Sequence, residues 1–165
     1  MHIRPATEAD WAAIWPFFAA IVEAGETYAY PWPITSEDAH ALWMESAPAC
    51  TFVAVDGAGN VVGSAKSGPN RPGRGSHVAT ASFMVDPAAA GRGAGRALAE
   101  HVLAWATERG YAAMQFNAVV ETNAAAVRLW HDLGFATVGT VPAAFDSRTH
   151  GLVGLHVMHR RLSSP

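Results

Sequence analysis

The chain has 165 residues, half of them hydrophobic and 15% charged, with 11 Lys plus Arg against 14 Asp plus Glu and a net charge of −3. That length suits one domain, 1–165, with a full core, and no block of like charge provides the electrostatic footprint of a nucleic-acid binder. The single cysteine, Cys50, excludes an internal disulfide, fits a cytoplasmic protein, and is expected as a small buried residue.

Taken in chain order, His2 to Arg4 reads as a short first strand, and Thr7 as an N-cap with Asp10 in its first turn. Trp11, Ile14, Trp15, Phe18, Ile21 and Val22 follow a helical stripe, with Pro16 expected to kink the helix or delay its start. The run from Trp11 to Val22 is too short, and too closely flanked by Glu8, Asp10 and Glu23, to cross a membrane or serve as a signal peptide. From Gly25 to Pro33 two prolines forbid a regular helix, so the aromatic residues Tyr28 and Tyr30 lie on a loop that either covers the core or lines a binding site. Ser36 is expected to cap a second helix, Glu37 to Ala47. Thr51 to Asp56 and Val61 to Ser67 flank Gly-Ala-Gly-Asn as a hairpin, and the Gly- and Pro-rich segment 68–75 is a loop.

Ser76 to Val85 is a strand that stops at Asp86-Pro87. Beyond it, Leu98, Val102 and Trp105 mark one face of a helix from Ala94 to Arg109 that Gly110 ends. Gly91, Gly93 and Gly95 sit where strand and helix join. Glycines there leave backbone N–H groups open to an anion, and the helix dipole with Arg92 and Arg96 adds positive charge, so a phosphate or pyrophosphate is expected. The spacing excludes a Walker loop, since Gly95 precedes Arg96-Ala97. It also excludes a GxGxxG fingerprint, because Arg96 and Leu98 hold the third-glycine positions. A tight connection without a ligand is the alternative reading.

Ala112 to Val120 forms a strand reached by a helical crossover, which favours parallel pairing with the strand before it. Thr122 or Asn123 caps a last helix whose apolar face is Ala126, Leu129, Trp130 and Leu133. Phe135 to Val141 and Leu152 to Arg161 are the final strands, and Ser163-Ser164-Pro165 a frayed tail. The eight histidines form no HExxH or Cys/His cluster, and His156 and His159 point to opposite faces of one strand, which argues against a metal.

Ala90-Gly91-Arg92-Gly93-Ala94-Gly95 resembles the Q/R-x-x-G-x-G/A pyrophosphate loop of the GNAT acetyltransferases, with Ala90 in place of the leading Gln or Arg. Asn123 to Phe135 resembles the later motif N-x-x-A-x-x-L-Y-x-x-x-G-F, with Trp130 in place of tyrosine, and the element order matches that family over most of the chain. The string around Asn117, LWHDLGFATVGTVPAAF and GLVGLHVMHR are similar to a subgroup of fungal acetyltransferases acting on proline analogues such as azetidine-2-carboxylate.

The resemblance implies an α/β GNAT fold: a mixed sheet of about seven strands with four helices, and parallel strands four and five splayed apart. It implies an acetyl-CoA-dependent N-acetyltransferase without metal, acting by direct attack of an amine on the thioester. The donor would meet Met84 and Val85 backbone, Arg92, Gly93, Ala94, Gly95, Arg96 and Asn123. Asn117, Asn123 and Glu121 are candidates for catalysis, with His77, Asp146, or a water reached through Thr80 or Ser82, as other routes for the base. Tyr28, Tyr30, Thr80 and Asn117 are candidates for the acceptor. The implied partner is a small-molecule amine or amino acid, not nucleic acid or membrane, and a homodimer stays open. A non-catalytic acetyl-CoA sensor is the alternative, favoured by Trp130 and Ala90.

Overall fold

The computed structural model describes residues 1–162, so the expected fraying of Ser163-Ser164-Pro165 lies outside the described residues. Seven strands form one sheet: β1 (His2–Pro5), β2 (Cys50–Val55), β3 (Val61–Pro69), β4 (Val78–Val85), β5 (Ala113–Val120), β6 (Ala136–Ser147) and β7 (Gly151–Arg161). Their order is β1-β2-β3-β4-β5-β7-β6. Every pairing is antiparallel except β4 with β5. Helices α1 (Trp11–Ala24) and α2 (Ser36–Trp43) pack on one face, and α3 (Ala94–Glu108) and α4 (Ala124–Asp132) on the other.

The alternation of strand side chains divides the core accordingly. Phe52 and Ala54 join Leu98, Val102 and Met114 on the α3 side, whereas Val53 joins Ile14, Phe18 and Trp43 on the α1 side. Trp105, the third residue of the expected α3 stripe, sits at the edge of that core rather than inside it.

Local chemistry moved several boundaries. A 3-10 turn, Glu8–Asp10, precedes α1, and the Asp10 carboxylate accepts hydrogen bonds from the Thr7 N–H (2.7 Å) and hydroxyl (2.8 Å). From Trp11 the α-helix then runs on through Pro16 to Ala24. Thr35, not Ser36, caps α2 by accepting from the Asp38 N–H (3.1 Å), while the Ser36 hydroxyl receives the Trp11 indole N–H (2.9 Å). That helix ends at Trp43 instead of Ala47, where the backbone of Met44 turns extended. β6 reaches Ser147 rather than stopping at Val141, because register shifts against β7 between Val141 and Phe145 absorb Pro142 and Ala143. Cys50, expected inside, is only half-buried at the start of β2.

The parallel pair β4/β5 is joined only at its beginning, Val78 with Ala113 and Ala79 with Met114. Beyond these residues the strands diverge, and the gap between them is the feature that the other elements frame.

Candidate active-site cleft

The gap opens into a cleft of about 820 Å³ that runs from the glycine loop, along β4 and β5, to the loop between α1 and α2. At the loop end Gly93 holds φ +84° and caps α3, and Gly91 holds φ +76°. A Cβ at either position would meet nothing within 4 Å, so both present bare backbone to open space. The first hydrogen bond reaching back from α3 runs from the Ala97 N–H to the Gly93 carbonyl (3.0 Å). The N–H groups ahead of it face outward, as an anion requires. Gly93, Ala94 and Gly95 line the cleft, but the two arginines do not. Arg92 is exposed on the loop, and Arg96 turns to Asp132 (3.0 Å) and Glu100 (3.7 Å), which offset its charge.

Backbone groups alternate in direction along β4. Val78 and Asp86 bond toward β3, through the Asn70 N–H and the Val62 carbonyl, whereas the His77 carbonyl accepts from Ala112 at β5. Ala81, Phe83 and Val85 therefore turn their N–H and C=O into the gap. Of the expected pair, Val85 turns its backbone into the gap, while Met84 bonds toward β3 and buries its side chain, 2% exposed, on the α1 side.

At Phe83 those groups are already taken. The Tyr28 hydroxyl accepts from the Phe83 N–H (2.9 Å) and donates to its carbonyl (2.6 Å). Burial pushes the Tyr28 phenol well above the usual tyrosine range, and burial also raises Tyr30, which stacks on Tyr28 with ring centroids 5.4 Å apart. Both rings belong to the core under α1, and both line the cleft, so the two readings of this loop hold together.

On the opposite wall Asn117 sits where the β5/β7 register breaks between Phe116 and Val119. Its amide donates to Asn70 Oδ1 (2.6 Å) and accepts from Gln115 Nε2 (2.8 Å), a three-amide chain that links β5 to the residue after β3. Asn123 caps α4 through the Ala126 N–H (3.2 Å) and lines the cleft, as do Thr80 and Ser82. Trp130 packs among Phe83, Phe116 and Phe135, with centroids at 4.9, 4.7 and 6.1 Å, and is 7% exposed.

The titratable candidates for the base lie elsewhere, in contrast to Thr80 and Ser82. The Glu121 carboxylate accepts from the Gly154 N–H, and its own N–H donates to the Gly154 carbonyl (3.0 Å), so it clasps β5 to β7 outside the cleft wall. His77 and Asp146 are exposed and also absent from that wall. Sequence reasoning missed Asn70 and Gln115, which reach Asn117 only through the fold, and Thr27, whose hydroxyl is buried without a partner among the described residues. Among those residues no group of three His, Cys, Asp or Glu is placed to hold a metal, and no helix is long and apolar enough to cross a membrane.

A model of the acetyltransferase (GNAT) family matches residues 15–135. A GCN5-related N-acetyltransferase from Kribbella flavida is 59% identical with a TM-score of 0.95, the match covering 98% of this chain and 97% of that one. N-acetyltransferase aca1 of Schizosaccharomyces pombe is 29% identical over 143 residues, 78% of this chain and 68% of the fission-yeast protein. The YncA protein of Salmonella typhimurium, solved with its cofactor acetyl-CoA, is 26% identical with a TM-score of 0.83, over 100% and 95% of the two chains.

Proposed function

The chain belongs to the GNAT acetyltransferase family, and from that membership we propose that it transfers the acetyl group of acetyl-CoA to the amine of a small molecule or amino acid. The observation that carries this reading is the continuous cleft from the glycine-capped start of α3, past the diverging β4 backbone, to Thr27, Tyr28, Thr80 and Asn117. Acetyl-CoA bound to the YncA relative supports the donor, and the name of the fission-yeast relative supports an amine as acceptor.

In this reading the N–H groups at the start of α3, with Gly91 and Gly93 bare beside them, receive the pyrophosphate of the donor. Val85 and Ala81 offer backbone hydrogen bonds to its arm, and a β4 N–H polarises the thioester carbonyl. The amine attacks the carbonyl carbon, the C–N bond forms and the C–S bond breaks. One proton leaves the nitrogen and one reaches the departing thiolate, so the sum is neutral. Asn117 orients the acceptor and Asn123 combines helix capping with contact to the donor. Glu121 is left with a structural role by its bond to Gly154. Trp130 is a wall residue, since an indole N–H is no proton donor at neutral pH.

Trp130 is also the feature that favours the second reading, an acetyl-CoA sensor without turnover. Release of free coenzyme A from acetyl-CoA, followed with a thiol reagent over a panel of small amines and amino acids including azetidine-2-carboxylate and proline, separates the two. An enzyme-only control accounts for Cys50. Acceptor-dependent release with the acetylated product confirmed by mass is the expected result, and acetyl-CoA binding with no release for any acceptor favours the sensor.

A further inference from the structure

The hairpin of β6 and β7 reaches past the end of β5. The last pair between β5 and β7 is Val120 with Leu155, and the clasp of Glu121 on Gly154 follows at once. Beyond it the hairpin continues as Phe145 paired with Val153, Asp146 with Leu152 and Ser147 with Gly151, a tip with no further strand beside it. β6 is the edge strand and pairs with β7 alone, and its register breaks between Val141 and Phe145, so the ladder by itself does not fix where the tip stands. The position of the tip matters to the cleft, because Phe145 lines it together with Leu155.

What anchors the tip is one side chain from the loop between α1 and α2. The Glu26 carboxylate accepts from the Ser147 hydroxyl (2.6 Å) with one oxygen and from the Thr149 N–H (2.9 Å) and hydroxyl (2.7 Å) with the other. Buried Ser147 accepts from the His150 N–H (3.0 Å), and its own proton goes to Glu26. Beside them the Arg148 N–H donates to the Gly25 carbonyl (3.1 Å). The hydrogen bonds from Ser147 and Thr149 hold the Glu26 carboxyl below the usual carboxylate range, so it is ionised at neutral pH and meets all three donors as an acceptor. Glu26 is not on the cleft wall, but Thr27, Tyr28, Ala29 and Tyr30, which follow it, are. Tyr28 is fixed in turn at Phe83. Two walls of the cleft are thus joined through one carboxylate. Charge-assisted hydrogen bonds are directional, so the clasp sets the spacing between Phe145 on one wall and Thr27 and Tyr28 on the other.

We propose that Glu26 is a positioning residue for the acceptor: by docking the β6–β7 tip on the α1–α2 loop it fixes the width of the acceptor end of the cleft. The donor end, built on α3 and β4, does not depend on it. This rests on the acetyltransferase reading and adds to it the residue that shapes the acceptor side. No bond is made or broken at Glu26, which acts through Phe145 and the loop that follows it.

The test is steady-state kinetics at saturating acetyl-CoA, with azetidine-2-carboxylate, proline and the other amines of the coenzyme A release panel as acceptors, alongside calorimetric titration of acetyl-CoA. Glu26→Ala raises the acceptor KM about tenfold and keeps kcat within about threefold, while the acetyl-CoA Kd stays within about twofold of the wild type. Glu26→Gln retains an amide oxygen for the Thr149 N–H and hydroxyl, and its KM returns to within about threefold of the wild type. Ser147→Ala removes one of the three donors, raises KM by a smaller factor, and is read in place of Glu26→Ala if that variant misfolds. A role in stability alone would lower the melting temperature without this separation of acceptor from donor. An acceptor KM unmoved in Glu26→Ala, an acetyl-CoA Kd that rises with it, or no recovery in Glu26→Gln overturns the proposal and leaves the transferase reading standing. Absence of release with every amine of the panel in the wild type overturns the transferase reading, and the proposal falls with it.

Discussion

Gly93→Ala tests the glycine loop most directly, because the structure separates its two effects. At φ +84° an added Cβ meets the left-handed penalty of roughly 1–2 kcal/mol, offset by about 0.4–1 kcal/mol from a less flexible unfolded chain. A net loss of about 1 kcal/mol lowers the melting temperature by about 2–4 °C in a chain of this size. The second effect falls on the ligand. Nothing within 4 Å meets the new methyl, so it projects into the space through which a pyrophosphate approaches the first N–H groups of α3. Losing one charge-assisted hydrogen bond of about 1.5–3 kcal/mol weakens coenzyme A binding roughly 10- to 100-fold. Gly110→Ala is the matched control: φ is +78°, nothing lies within 4 Å, and the residue sits past the other end of α3, away from the cleft. Calorimetric titration of coenzyme A into both folded variants gives equal melting losses and a large difference in Kd. A Gly93→Ala Kd within twofold of that of Gly110→Ala refutes the loop as the pyrophosphate site.

Other substitutions probe the remaining assignments. Asn123→Ala removes the cap of α4 and costs about 1 kcal/mol of stability by chemical denaturation, together with a rise in KM for acetyl-CoA; an unchanged KM reduces Asn123 to its cap. Glu121→Gln leaves the pH profile of kcat unchanged, because its carboxylate is engaged by Gly154; loss of an acidic limb in that profile would restore Glu121 as the base. Arg96→Ala changes the coenzyme A Kd by less than about threefold at moderate salt, since Asp132 and Glu100 already screen that charge; a larger loss places Arg96 on the donor. The Arg4 guanidinium, with help from Thr7 and against burial, holds the Asp10 carboxyl well below the usual range. A depressed folded pKa contributes stability above the unfolded value near pH 4 and loses it as pH falls toward the folded value. Urea midpoints should therefore drop between pH 4.5 and about 2.5 less steeply in Asp10→Asn than in the wild type, and equal slopes would refute the linkage.

The glycine turn at one end of the cleft was legible in the sequence because its geometry is local. Alternate glycines where a strand gives way to a helix specify bare N–H groups wherever the rest of the chain goes, and the capping role of Asn123 likewise depends on its immediate neighbours. The remaining expectations, on both sides of the cleft, were read less well. The direction of the Met84 and Val85 backbone depends on the register with β3, and the roles of Arg96 and Glu121 depend on Asp132 and Gly154, which no local pattern announces. Thr27 carried no signal, since a threonine in an aromatic loop is unremarkable until burial removes its partners.

The sequence by itself determined the element order and the glycine turn that opens α3, since periodicity, capping residues and glycine placement act over a few residues. Only the tertiary structure decided that β4 and β5 part after two residue pairs, that Tyr28 reaches 55 residues along the chain to occupy the Phe83 amide, and that Asn70, Gln115 and Asn117 join between β5 and the end of β3. Those contacts are set by how far strands diverge and how deeply a loop is buried, which depend on the packing of the whole sheet between its helices.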